Sequence, residues 1–70
     1  MSIKAIDLEQ AARELGFLKI NQRGGHARWK YLDVRATTIP IHGDDDVGDW
    51  LAHEILEQLG ITEEELWELL

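Results

Sequence analysis

The sequence predicts a small α+β fold in the order helix, strand, strand, strand, helix, closed by a short third helix. Three observations carry that expectation. Apolar residues at helical spacing occupy the start of the chain, and a stretch of period two fills its middle. A second helical stripe with clear stop signals fills the end.

Residues 3 to 15 read as the first helix, because Ala5, Leu8, Ala12 and Leu15 fall on one face. Ser2 is the expected N-cap, and Gly16 follows as the C-terminal stop. Phe17 to Asn21 then reads as a strand, and Gln22-Arg23-Gly24-Gly25 as a turn whose glycines permit left-handed backbone. His26 to Tyr31 alternates most cleanly: Ala27, Trp29 and Tyr31 point one way, and His26, Arg28 and Lys30 the other. Leu32-Asp33 turns the chain into a β-branched third strand, Val34 to Ile39, ended by Pro40. Short links between the three strands imply an antiparallel meander.

The stretch Gly43-Asp44-Asp45-Asp46 reads as a loop before the second helix, which Asp46 or Asp49 is expected to cap. Leu51, Ile55 and Leu59 form that helix's apolar stripe, and Gly60 stops it. Thr62-Glu63-Glu64-Glu65 is a capping box for a last short helix, with Ile61 and Leu66 placed to join across it. Two helices cover one face of a three-stranded sheet, so the other face meets solvent. Trp29 and Tyr31 belong on the covered face, leaving His26, Arg28 and Lys30 on the open one.

One domain spanning residues 1–70 is expected, and a chain this short buries only about 60% of its unfolded surface. It has no cysteine, so neither a disulfide nor a thiolate metal site supplements the core. The histidines lack metal-ligand spacing and the aspartate run lacks a calcium-loop pattern, so no metal or other cofactor is expected. No signal-peptide pattern and no membrane-length apolar run is present, which points to the cytoplasm and away from the membrane. The net charge of −7 is divided unevenly. All seven basic residues precede residue 36, and from Gly43 onward there are ten acids and no lysine or arginine. Such asymmetry fits one surface for a polyanion and another for a different partner.

The order Arg23-Gly24-Gly25-His26-x-x-Trp29 resembles the signature of HicA toxins: a basic residue, Gly, Gly or Ser, His, then an aromatic three positions on. Leu8, Gly16-Phe17, Thr38-Ile39-Pro40-Ile41-His42 and Ile55-Leu56-Glu57-Gln58-Leu59-Gly60-Ile61-Thr62 keep the family's order across nearly the whole chain. The resemblance implies a fold like that of double-stranded-RNA-binding domains and a metal-independent mRNA endonuclease. It also implies silencing by a HicB-type antitoxin. The family's catalytic histidine maps onto His26, and Arg23, Gly24 and Gly25 match the turn that presents it. Two departures stand out. Asp44, Asp45, Asp46 and Asp49 occupy a region where the family usually carries cations, with spacing one residue longer. Asp33-Val34 stands where Asp-Gly is common.

The chemistry is coherent on the residues themselves. RNA cleaves when its 2′-hydroxyl is deprotonated in line with the adjacent phosphate, and an imidazole suits that transfer near neutral pH. His26 serves as base or as acid on the leaving oxygen. Arg23, Arg28 and Lys30 stabilise the added negative charge and bind RNA. A second proton-transfer group is left unassigned.

Plainer readings stand beside these. His26 can be a surface strand histidine, and Arg28 and Lys30 the polar face of a strand. His42 reads as a strand-end residue near the site, and His53 as solvated helix surface. Trp29 and Trp67 are expected in the core, and Trp50 on a partner surface. The rival to a toxin is a catalytically weak or inactive HicA-like module whose acidic second half docks a partner. A regulatory double-stranded-RNA reader fits least, since it needs lysines at a helix start that is here acidic.

Overall fold

Ile3 and Lys4 pair with Asp46 and Val47 before the first helix begins. A computed structural model describes residues 3–32, 34–41 and 44–70. Ser2, Asp33, His42 and Gly43, with the cap, turn, strand-end and loop roles assigned to them, lie outside the described residues. The chain runs β1 (Ile3–Lys4), α1 (Ala5–Glu14), β2 (Leu18–Arg23), β3 (His26–Tyr31), β4 (Arg35–Pro40), β5 (Asp46–Val47), α2 (Asp49–Leu59) and α3 (Glu63–Leu69). This is the expected α+β order, helix-β-β-β-helix with a short last helix, plus one small strand pair.

That pair corrects two expectations. The first helix starts at Ala5 and not at Ile3, because the backbone of residues 3 and 4 is committed to β5 and the Ala5 N–H donates to the Asp45 carbonyl at 3.1 Å. Lys4 is the N-cap residue, and its N–H donates to the Asp7 carboxylate at 3.1 Å. Asp46 is a strand residue, and Gly48 is the N-cap of α2 with no side-chain cap. Asp49 sits instead in the first helical turn, where its charge faces the positive end of the helix dipole.

The three-stranded sheet has the order β2-β3-β4, antiparallel throughout. The period-two signal of β3 translates directly into burial: Ala27 and Trp29 are buried, whereas His26 and Arg28 are exposed. Tyr31 shares their parity but stands at the sheet's end, about a third exposed, with its ring 5.5 Å from that of Phe17. α1 and α2 lie over β4, and α3 packs on both helices. Strand β2 overhangs this cover, and every residue along it is exposed.

Leu8, Trp29, Ile39, Ile55, Leu59 and Leu66 form the centre of the core. Trp67 packs against it, as expected, while Trp50 is 78% exposed. Local stop signals behave as their chemistry requires. Gly60 adopts φ +82° and its N–H and that of Ile61 close the end of α2 onto Leu56. Thr62 and Glu65 exchange the two bonds of a capping box, at 3.2 and 2.9 Å.

Candidate functional site

The β2–β3 turn is tighter than the sequence implies. Gln22 and Arg23 remain in the strand, leaving Gly24 and Gly25 as the connection. Gly24 uses the left-handed region at φ +59°. The Gly25 carbonyl accepts the Ile41 N–H at 2.9 Å, which ties the turn to the far end of β4. His26 is thereby held between Arg23 on one side and Pro40 on the other, directly opposite each in the ladder.

A shallow cleft of about 270 Å³ opens on this face, lined by Asn21, Arg23, His26, Arg28 and Thr38. Its middle row crosses all three strands, since Asn21 pairs with Arg28 and Arg28 with Thr38. Arg28 Nη1 donates to Thr38 Oγ1 at 3.1 Å. The imidazole of His26 is exposed and makes no hydrogen bond among the described residues.

Thus the structure brings Arg23, His26 and Arg28 together, with Gly24 and Gly25 forming the turn beside them. Lys30 lies on the same face but outside the cleft, opposite Leu18 and Ala36. Four residues along a strand separate it from His26, roughly 13 Å.

Neither Asn21 nor Thr38 is among the site residues that the sequence points to. Counted from Phe17, which is buried, Asn21 and Arg23 would fall on the covered face. Counted back from a two-residue turn, they fall on the face of His26. A β-bulge between Lys19 and Asn21 reconciles the two counts. It sends Lys19 to the covered face, with its ammonium 5.6 Å from the centre of the Trp29 ring, and leaves Asn21 in the cleft.

The electrostatics follow from how the cations are used. Arg13 and Lys19 both approach Glu9, at 4.0 and 3.8 Å, and Arg13 also lies over the Trp29 ring at 5.2 Å. Lys4 is taken up by Asp46 at 3.6 Å and by the Asp44 carbonyl at 3.2 Å. Arg35 reaches the Leu59 carbonyl at the C-terminal end of α2, at 3.5 Å. Arg23 and Arg28 are left to the cleft, and none of its lining residues is acidic. A chain of net charge −7 therefore presents a locally cationic surface at this cleft. Asp44, Asp45, Asp46 and Asp49, which stand where the family usually carries cations, do not line it.

The model of a protein family described as the HicA toxin of bacterial toxin-antitoxin systems matches residues 6–61. The chain belongs to the HicA toxin family. A comparison with curated proteins finds no match. Membership brings an antitoxin partner with it, and the match runs through the whole His26 cleft of this HicA chain. Its α3 and β1 lie beyond the matched residues. Among the described residues no helix is long and apolar enough to cross a membrane, and no group of three or more potential metal ligands is brought together.

Proposed function

We propose that this HicA chain, as one domain over residues 1–70, is a metal-independent endoribonuclease that cleaves mRNA in the cytoplasm. It is the toxin of a type II pair and is silenced by a HicB-type antitoxin. The observation that supports this reading is the exposed His26 between Arg23 and Arg28, in a cleft without acids.

The 2′-oxygen of the substrate attacks the adjacent phosphorus as its proton departs, and the bond to the 5′-oxygen breaks as that oxygen gains a proton. The products are a cyclic phosphate and a free 5′-hydroxyl. His26 carries one of these two proton transfers. Arg23 and Arg28 face the phosphate oxygens, where negative charge grows. Lys30 contacts RNA further along the strand, and Gly24 and Gly25 let the backbone approach closely. Asn21 and Thr38 complete the contact surface.

Induced expression tests this reading, comparing the wild-type chain with His26→Ala at equal protein level. Growth arrest and mRNA loss with wild type alone support it. Arrest with both moves the toxic step away from His26. Harmless expression of both folded chains favours the second reading, a protein-binding module. The exposure of Trp50 on α2 is the observation behind that alternative.

A further inference from the structure

A second cavity lies away from the His26 cleft. It has a volume of about 570 Å³ and lies between β1, α2 and α3. Its floor is apolar, made by Ile3, Leu56 and Ile61, and Asp49, Glu57 and Glu63 stand on its rim. A volume of this order falls in the ~300–1,000 Å³ range of ligand-accepting pockets.

The rim acids meet no lysine or arginine among the described residues. Glu57 lies 3.9 Å from His53 Nε2, and Glu63 accepts a hydrogen bond from the Trp67 indole at 3.4 Å. The chain from Gly43 onward supplies ten acids and no lysine or arginine to balance them. Among the described residues no three potential metal ligands converge, and these carboxylates are spaced along a rim. Spaced acids around an apolar floor complement a polypeptide with spaced cations around an apolar side chain.

Trp50 adds an independent observation. Positions 50, 53 and 57 share one ridge of α2, so this exposed tryptophan extends the surface of His53 and Glu57. A large aromatic left in water beside an acidic groove has the composition of a protein-binding hot spot. Ile3, Thr62 and Glu63, which line the groove, also lie outside the residues matched by the family model.

We infer that this groove docks a lysine- or arginine-bearing segment of a partner protein, with one aliphatic side chain seated on Ile3, Leu56 and Ile61. The segment's cations meet Asp49, Glu57 and Glu63, and Trp50 packs against its flank. A nucleic acid has the wrong sign for this rim. The inference stands independently of RNA cleavage, because no cleft residue takes part.

The test is an NMR titration of the full chain with a synthetic peptide carrying four lysines around two leucines. Two control peptides replace the leucines by glycine or the lysines by glutamate. The expected result is saturable shifts at Ile3, Leu56, Ile61 and the Trp50 indole, with both controls binding much more weakly. The Glu57→Lys, Glu63→Lys double variant should bind roughly tenfold more weakly, as expected for loss of two exposed ion pairs. Glu57→Lys alone should show a smaller loss and leaves the first turn of α3 intact. The His26→Ala variant should bind normally. Equal binding of the glycine control, or shifts confined to other surfaces, would overturn the inference. So would self-association of the chain alone through the same residues, which would make the occupant a second copy.

Discussion

Arg28 and Thr38 face each other across the β3–β4 pair, and the guanidinium donates to the threonine hydroxyl at 3.1 Å. An arginine on an open sheet face would otherwise sample many rotamers. This bond holds one end of the guanidinium over the cleft, and in the proposed mechanism its other donors serve a phosphate. Thr38 is thus a positioning residue for Arg28.

If Thr38 acts through Arg28, Thr38→Val lowers cleavage by about tenfold or less, the equivalent of one net hydrogen bond. Folding stability should change little at this surface site. The double variant with Arg28→Ala should be no slower than Arg28→Ala alone. Steady-state cleavage of a synthetic RNA by the four proteins checks this. Additive losses would show that Thr38 acts on the substrate separately.

A second prediction concerns the join between sheet and helix. Thr37 is 1% exposed, and its hydroxyl donates to Gln58 Oε1 at 2.6 Å. Thr37→Val keeps the shape and frees a glutamine that can turn to water, costing about 1 kcal/mol. Gln58→Ala strands the buried hydroxyl and should cost more, about 1–3 kcal/mol. Urea unfolding of both variants measures the order, and Gln58→Ala should be the less stable.

The β3–β4 turn carries a local conflict. Leu32 adopts φ +52°, the one non-glycine residue to do so among those described, and is 72% exposed. A leucine there meets a steric penalty and has little packing in return. Leu32→Asn should raise stability by about 0.5–1 kcal/mol, since asparagine tolerates the left-handed region. Thermal unfolding checks it, with a rise of a few degrees expected for a domain of this size.

What was legible in the sequence was what is local. The parity of His26 to Tyr31 fixes which side chains enter the core, and Gly16, Gly60 and the Thr62–Glu65 box mark helix ends within a turn of themselves. The pairing of Ile3 with Val47 was not legible, because neither segment has a β pattern of its own and each is a strand only through the other. The same applies to the cleft. His26, Arg23 and Arg28 announce themselves by residue type and spacing. Asn21 and Thr38 join them through register: one reaches the cleft beyond a bulge, and the other stands opposite Arg28 on a different strand. A two-residue reading of the Gly24-Gly25 turn would have placed Asn21 correctly. The separation of Lys30 from His26 was also readable, since strand spacing alone puts four residues, roughly 13 Å of backbone, between them.

In the proposed mechanism His26 moves a proton in RNA cleavage without a metal. The most direct measurement is cleavage of a defined synthetic mRNA by purified chain, wild type against His26→Ala, in the presence of EDTA. The expected result is cleavage by wild type that EDTA leaves unchanged, and a loss of about 10²-fold or more in the folded variant. Cleavage by His26→Ala at the wild-type rate, or activity that EDTA abolishes, would contradict it.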